Sequence, residues 1–147
     1  MNRVAISAEE VPLPAWSFRI QGYILKVLAR LEKDRWDLSV LFCNNAYIRS
    51  LNNKFRSNDE PTDVLSFVQG TDYTDEATGE TRFLPGDIIV SLETLAENAH
   101  YFQVPQDEEL HRLLIHGILH LSGMDHETNE GAEPMLKLQE AILAEMR

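Results

Sequence analysis

Hydrophobic and polar residues alternate along this chain with two different periods, and each period predicts a different kind of element. NRVAISA near the N-terminus alternates as a strand does, and WDLSVLFC and GDIIVS are short apolar runs typical of buried strands. TDVLSFV follows the turn-like segment SNDEP and is predicted to be a further strand. The pattern therefore predicts about four strands.

Helical periodicity predicts about five helices. One stretch, WSFRIQGYILKVLARLEK, places apolar residues on a single helical face, namely Ile20, Ile24, Val27, Leu28 and Leu31. The other helices are predicted to begin at polar residues that can cap a first turn, which are Asn44, Ser91, Asp107 and Asn129. The polar segment 70–85 contains glycines and is predicted to be a hairpin-like connection or a mobile loop. Together these elements predict an α+β fold in which about five helices cover one small mixed sheet of about four strands.

Length and composition are those of one globular domain. The 147 residues allow one domain with a real core and are too few for two, so residues 1–147 are predicted to form a single domain. The N-terminal sequence does not resemble a signal peptide, and no apolar run approaches membrane-spanning length. We therefore expect a cytoplasmic protein without a membrane partner. Cys43 ends an apolar run and is predicted to be a buried structural thiol.

The net charge of −11 bears on the choice of partner. Binding to nucleic acid depends largely on electrostatic attraction to phosphate, so an acidic chain is at first sight a poor candidate. A local basic cluster can nevertheless bind phosphate, and Arg49, Lys54 and Arg56 fall within eight residues of one another. From composition alone, a solvated helix face explains the same cluster.

Three histidines stand within the eleven residues HGILHLSGMDH. His116 and His120 are four residues apart, so on a helix they share one face and lie about 6 Å apart along the axis. Gly123 can adopt the left-handed conformation that ends a helix, which would turn the chain and bring His126 to the same point. Three nitrogen ligands leave the fourth position of a tetrahedral zinc ion open, as in catalytic sites. The alternative is that some of these histidines are ordinary polar or core residues.

The spacing of the histidines is that of the metzincin peptidases, but the glutamate that serves those enzymes as general base is replaced by Gly117. Hydrolysis of an amide also needs a proton for a poor leaving nitrogen, so the missing carboxylate argues against a peptidase. In the transition state of phosphodiester cleavage, negative charge is spread over oxygen atoms, and a metal ion and an arginine can stabilise it together. The glycine itself is either tolerated within the helix or required because something approaches the helix closely there.

The motif HGILHLSGMDH, the stretch LNNKFRSNDEPTDVLSF and the segment GDIIVS, in their order and separations, resemble the YbeY family of bacterial endoribonucleases and rRNA maturation factors. The resemblance runs over most of residues 40–140. It implies a single-strand-specific, metal-dependent endoribonuclease that acts in processing of the 3′ end of small-subunit ribosomal RNA and in ribosome quality control. The chain departs from the family's usual sequence at Val68, where proline is common, and at Met124, where tyrosine or histidine is common.

The resemblance also implies roles for individual residues. His116, His120 and His126 would be the ligands of one zinc ion, and Arg56 would be the basic residue of the active-site cleft. Arg56 and His116 are the predicted catalytic residues. The implied partners are single-stranded RNA, ribosomal RNA and the small ribosomal subunit, and no DNA is expected. Two alternatives share the histidines: a zinc metallopeptidase-like hydrolase, and a non-catalytic ribosome-assembly factor whose metal ties a loop to its helix.

Thr62, Asp63 and Asp125 are weaker candidates. Thr62 and Asp63 follow a proline and can stabilise a turn or cap an element. Asp125 can either orient a metal ligand or stabilise the turn before His126. His100 and His111 lie outside the motif and are predicted to be surface or structural residues.

Overall fold

One mixed sheet organises the computed structural model of the chain, which describes residues 1–126, 128–131 and 133–147. The strands in these residues are β1 (Arg3–Ala8), β2 (Asp37–Cys43), β3 (Val64–Thr74) and β4 (Thr81–Ser91). In the sheet order β1-β2-β4-β3, the first three strands are parallel and β3 is antiparallel to β4. The helices in the same residues are α1 (Ser17–Arg30), α2 (Asn45–Arg56), α3 (Leu92–Phe102), α4 (Gln106–Leu121) and α5 (Pro134–Glu145). The predicted α+β class with a small mixed sheet is confirmed.

The two faces of the sheet carry two apolar clusters of different size. Successive strand residues point to opposite faces, so Ile88 of β4 packs into the larger cluster with α1, α4 and α5. Its neighbour Ile89 packs into the smaller cluster, together with Ile48 of α2. Cys43 is fully buried in that smaller cluster, and burial raises the pKa of its thiol to about 12. The prediction that Cys43 is a buried structural thiol is confirmed.

Gly117 determines how closely α4 approaches the sheet. A Cβ atom at this position would lie 2.9 Å from Cδ1 of Ile88 and 3.0 Å from its Cγ1, which is closer than van der Waals contact allows. Ile88 is itself fully buried in β4. The glycine is therefore required by a close approach, as one of the two sequence interpretations held, and it leaves His116 and His120 on the flank of a helix that is pressed against the sheet.

Segment 70–85 is more regular than its composition suggested. Strands β3 and β4 each extend over eleven residues, and only the turn between Asp75 and Glu80 lies outside them. The prediction of a hairpin-like connection is confirmed, and the alternative of a mobile loop is wrong. The polar strand ends are held by Arg82, whose buried guanidinium donates to Asp37 at 2.8 Å and to the carbonyl of Met1 at 2.8 Å. Buried ion pairing, which composition does not reveal, therefore replaces apolar packing here.

Two of the predicted helix caps are present. The side chain of Asn44 accepts a hydrogen bond from the backbone N–H of Tyr47 at 2.9 Å. The hydroxyl of Ser91 accepts from the N–H of Thr94 at 3.4 Å. Both side chains satisfy donors that a first helical turn leaves unpaired. Within the part of the chain that the structure describes, no helix is both long enough and apolar enough to cross a membrane.

The other two predicted helix starts are wrong. Helix α4 begins at Gln106, with Pro105 as its N-cap, so Asp107 lies inside the first turn. There its carboxylate complements the helix dipole without capping the backbone. Helix α5 begins at Pro134 and not after Asn129. Proline suits a first helical position because its φ is already helical and its missing N–H has no partner to lose there.

Candidate metal centre

The three motif histidines meet at the C-terminal end of α4. His116 and His120 occupy the last turns of that helix, and Gly123 then takes a φ of +97°, which lets the chain turn back to His126. One ring nitrogen from each histidine belongs to a group of atoms that all lie within 4.8 Å of one another. The predicted convergence is confirmed, although it was derived from spacing alone.

The distance between the first two imidazoles suits a shared ion. Nε2 of His116 lies 3.1 Å from Nε2 of His120. Two nitrogens that bind one tetrahedral zinc ion at ordinary Zn–N distances are separated by about 3.3 Å. Both side chains are half-buried at the edge of the core, so they are neither packed away from solvent nor free to rotate in it.

Hydrogen bonds fix the orientation of two of the three rings. Nδ1 of His116 lies 2.7 Å from the amide Oε1 of Gln139, and Nδ1 of His126 lies 2.7 Å from the carbonyl oxygen of Thr128. Because both oxygens can only accept, each Nδ1 must carry the proton and donate it. Each Nε2 is then left with a lone pair for a metal ion, and the second hydrogen bond sets the direction of that lone pair.

The surroundings of His120 favour the neutral form of its imidazole. Burial lowers the pKa of its imidazole, and the neighbouring His116 and His126 lower it further, whereas Asp125 opposes the shift. A neutral imidazole is the form that binds metal ions. Oδ1 of Asp125 lies 3.9 Å from Nδ1 of His120, too far for a hydrogen bond, but accepts from the backbone N–H of His126 at 2.8 Å. The turn-stabilising role predicted for Asp125 is therefore the one that is formed.

Gln139 is a site residue that sequence reasoning missed. It is buried on the apolar face of α5, between Met135 and Ile142, and its Nε2 donates to Oε2 of Glu140 at 3.1 Å. Glu140 in turn forms an ion pair with Arg112 of α4 at 3.0 Å. This network ties α5 to the histidine-bearing helix. A glutamine on an otherwise apolar helix face was the available signal, because a buried amide requires hydrogen-bond partners.

Arg56 is held by contacts with β3. It is the last residue of α2, and its exposed side chain donates from Nη2 to the carbonyl oxygen of Ser66 at 2.7 Å. Its guanidinium carbon also lies 5.5 Å from the ring centre of Phe67. Both contacts are on β3, the strand against which α4 packs. Arg49, by contrast, pairs with Asp59 at 2.9 Å, so the predicted basic cluster does not act as one unit.

Thr62 and Asp63 have structural contacts. Oδ1 of Asp63 accepts from the backbone N–H of Val64 at 2.8 Å and from the hydroxyl of Thr62 at 3.3 Å. Its Oδ2 accepts from the side-chain amide of Asn98 at 3.1 Å, which joins the start of β3 to α3. These bonds match the turn-stabilising alternative.

The two histidines outside the motif take no part in the cluster. His111 stacks on Tyr23, with ring centres 3.8 Å apart, and burial lowers the pKa of its imidazole. His100 is exposed on α3. Tyr23 and His111 line a cavity of about 480 Å³ beside α1 and α4, whose lining includes none of the three motif histidines. The chemistry of the converging ring nitrogens therefore identifies the site, and cavity size does not.

Known proteins are similar to this chain over most of its length. A family described as endoribonuclease YbeY matches residues 6–147. An endoribonuclease YbeY of Treponema denticola is 48% identical over 147 residues, covering 99% of this chain and 94% of the relative. An endoribonuclease YbeY of Borreliella afzelii is 50% identical over 122 residues, covering 82% of this chain and 80% of that relative. A solution structure from Thermotoga maritima superposes with a TM-score of 0.66 at 28% identity, covering 97% of this chain and 88% of the other. The resemblance found in the motifs thus extends over nearly the whole sequence, and the chain belongs to the endoribonuclease YbeY family.

Proposed function

We propose that the chain is a metal-dependent endoribonuclease that cleaves phosphodiester bonds in single-stranded RNA. The observation that carries this proposal is the convergence of His116, His120 and His126, whose ring nitrogens lie within 4.8 Å of one another. Family membership supports RNA as the substrate, because relatives at about half identity over most of their length are named endoribonucleases. The histidines thus support a metal site, and the family supports RNA as the substrate class.

One zinc ion is the metal that the donor set fits best. Neutral imidazoles suit zinc, and three protein ligands leave one position of a tetrahedral ion open to substrate or water. A zinc ion held there would supply Lewis acidity for the reacting phosphate. Gln139 and the carbonyl of Thr128 orient the rings of His116 and His126 toward this point. His116 is thereby proposed to act in catalysis as an oriented ligand.

Arg56 is proposed to bind and stabilise the reacting phosphate. An arginine presents five N–H donors in a planar fork that matches phosphate oxygens. The hydrogen bond to Ser66 and the ring of Phe67 restrict the guanidinium, so little orientation has to be acquired when RNA binds. Gly117 stands where the peptidases carry the glutamate that serves as general base, and it faces the side chain of Ile88. This arrangement favours phosphodiester over amide cleavage.

The biological setting is proposed from the family resemblance. The proposed setting is the cytoplasm, the proposed role is maturation of the 3′ end of small-subunit ribosomal RNA and ribosome quality control, and the proposed partner is the small subunit. The net charge of −11 fits a protein that reaches RNA through a specific site rather than by general attraction to phosphate.

Purified protein should be tested side by side on single-stranded RNA and on casein, with and without a chelator. We expect the protein to cleave the RNA and not the casein. The chelator should abolish this cleavage, and added zinc should restore it. His120→Ala should lose both metal and cleavage, whereas His100→Ala, which changes an exposed histidine outside the cluster, should retain both. Chelator-resistant RNA cleavage would contradict metal dependence, and cleavage of casein without RNA would favour the metallopeptidase alternative. Metal binding without either activity would favour the assembly factor.

A further inference from the structure

An exposed aromatic surface lies where α2 ends beside β3. Phe55 is 59% exposed, and its ring packs edge-to-face on that of Phe67, with ring centres 5.4 Å apart. Phe67 is half-buried against the smaller apolar cluster. The outer ring is therefore supported by an anchored one. We call Lys54, Phe55, Arg56 and Phe67 the stacking platform.

Each ring of the stacking platform has a cation over it. Nζ of Lys54 lies 5.2 Å from the ring centre of Phe55, and the guanidinium of Arg56 lies 5.5 Å from that of Phe67. Across residues 1–126, 128–131 and 133–147, no carboxylate lies within ion-pairing distance of Lys54 or Arg56. Both side chains are exposed, so two positive charges remain available to an anionic ligand.

Other exposed aromatic side chains differ from Phe55 in this respect. Phe18, Tyr101 and Phe102 are 83%, 80% and 60% exposed. Tyr101 and Phe102 also form an edge-to-face pair, with ring centres 5.0 Å apart. Within the described ranges, no lysine or arginine lies over any of these three rings. The combination of an exposed ring and unpaired cations thus points to a ligand that is both planar and anionic.

We propose that the stacking platform binds an unpaired base of single-stranded RNA on the exposed ring of Phe55, with the flanking phosphates beside Lys54 and Arg56. The inference rests on the proposed function, because it places this RNA next to the arginine assigned to the reacting phosphate. Bases inside a duplex are covered by their neighbours, whereas an unpaired base can stack on an aromatic side chain. The platform therefore gives single-strand preference a physical cause.

The overall charge makes such a local contact necessary. At a net charge of −11, the protein as a whole repels a polyanion, and only short-range contacts can hold it. Stacking on Phe55 needs no charge, while Lys54 contributes attraction only to phosphates close to it. Phe67 acts as a positioning residue, because it supports the ring of Phe55 and one side of the Arg56 guanidinium.

The first test measures single-turnover RNA cleavage by metal-loaded protein over a range of protein concentrations. Phe55→Leu keeps apolar contact with Phe67 but removes the aromatic face. We expect it to raise the half-saturating concentration by about fivefold to a hundredfold, the range known for loss of one stacked base, with a near wild-type plateau. Phe55→Trp should restore binding, and Phe18→Ala is the matched control that should change nothing. An unchanged half-saturating concentration in Phe55→Leu would overturn the proposal.

The second test separates binding from cleavage. Equilibrium binding of a fluorescent single-stranded RNA is measured at several salt concentrations, together with oligonucleotides that carry one abasic position at a time. One abasic position should weaken binding to wild type but not to Phe55→Leu. Lys54→Gln should reduce the slope of log affinity against log salt concentration by about one, the amount expected for one lost phosphate contact. Phe55→Leu should leave this slope unchanged.

The two proposals fail in different ways. If wild type bound RNA through Phe55 but did not cleave it, the stacking platform would stand and the endoribonuclease proposal would fall. If wild type cleaved RNA with metal but no abasic position distinguished it from Phe55→Leu, the platform would be refuted while the activity stood. Equal binding of single strands and duplex by wild type would likewise overturn the platform. Melting curves of the variants show that the comparison is between folded proteins.

Discussion

At the scale of single residues, the site depends on atoms that hold the histidines as much as on the histidines themselves. The carbonyl of Thr128 is a backbone group, so only the partner of His116 can be removed by substitution. That partner is Gln139, whose Oε1 lies 2.7 Å from Nδ1 of His116. It is 7% exposed, so solvent cannot easily replace it. The orientation of one proposed metal ligand therefore rests on one side chain of another helix.

Gln139→Leu should weaken zinc binding by about tenfold to a hundredfold, because loss of such a supporting hydrogen bond frees the tautomer and the ring of His116. The measurement is competition for zinc with a chromophoric chelator. Lys137→Ala is the control, since this exposed residue lies on the same helix. If Gln139→Leu kept wild-type zinc affinity, the hydrogen bond would have no part in orienting the ligand.

Arg56→Ala should leave zinc content unchanged and alter stability by no more than about 0.5 kcal/mol, because the side chain is exposed. RNA cleavage should fall by about a hundredfold to a thousandfold, which is the usual effect of removing one preorganised charge-stabilising donor. Single-turnover rates at saturating protein measure this directly. Arg49→Ala is the matched control, because Arg49 is already paired with Asp59. A wild-type rate in Arg56→Ala would end the role proposed for this arginine.

Sequence predicted the histidines and missed Gln139 for a physical reason. The spacing of His116, His120 and His126 is local, so a helix and a glycine turn suffice to bring them together. Gln139 reaches His116 only because α5 packs on α4, across 23 positions of the chain. Contacts of this kind depend on tertiary packing, which periodicity does not encode.

At the scale of elements, Gly117 fixes the distance between α4 and β4. Gly117→Ala would gain about 1 kcal/mol from helix propensity. The new Cβ would lie 2.9 to 3.1 Å from three atoms of Ile88, and such overpacking costs about 1–3 kcal/mol. We expect a net loss of stability, because Ile88 is fully buried and branched at Cβ and cannot move all three atoms away.

Chemical denaturation measures this prediction against a matched control. Gly22→Ala changes a glycine within α1, and the added Cβ would have no neighbouring side chain or strand within 4 Å. It should therefore stabilise the protein by up to about 1 kcal/mol from helix propensity alone. If Gly117→Ala were as stable as Gly22→Ala, α4 would not be held against β4 by the missing side chain.

The hairpin shows why composition misled the prediction for segment 70–85. Most of its residues are polar or small, which is typical of loops. In the structure, Arg82 of β4 is buried and pairs with Asp37 of β2 at 2.7 Å, and Tyr73 of β3 donates to the same carboxylate. A strand held by a buried ion pair has no alternating apolar pattern, so the sequence could indicate the hairpin but not the length of its strands.

At the scale of the whole molecule, this ion pair should give stability a dependence on acid. Burial acts to raise the pKa of Asp37, but hydrogen bonds from Arg82 and Tyr73 outweigh it and hold the pKa below its usual range. The folded state thus binds the proton more weakly than the unfolded state. The contribution of Asp37 is present above the unfolded pKa of about 4 and is lost as pH falls through the lower folded pKa.

Asp37→Asn should therefore flatten the fall in unfolding free energy below about pH 4. At neutral pH it should cost about 1–3 kcal/mol, because the buried Arg82 then keeps only Glu80, the more exposed of its two carboxylate partners. Denaturant titrations over a pH series give both quantities. Asp59→Asn is the control, since it breaks a pair with Arg49 that is exposed to solvent, and such pairs contribute little to stability. Equal effects of the two substitutions would show that the buried pair does not hold the hairpin.

Metal binding should also stabilise the whole fold, because the proposed ligands converge only when α4 and the chain after Gly123 are in place. A ligand of the folded state alone adds about 4 kcal/mol at a thousand times its dissociation constant, which for a chain of this size is roughly 10 °C of melting temperature. Acid should remove this gain, since protonated imidazoles do not bind zinc, with an unperturbed pKa of about 6.5. In the metal-free protein, acid should also lower stability through His120, whose pKa is lowered in the folded state. The folded state disfavours the charged imidazole, so unfolding becomes easier as pH falls through the unfolded pKa.

We therefore expect zinc to raise the melting temperature of wild type and of His100→Ala at about pH 7.5, and to have little effect at about pH 5. His120→Ala should show no zinc-dependent increase at either pH, and a wild-type increase in that variant would mean that the ion is bound elsewhere.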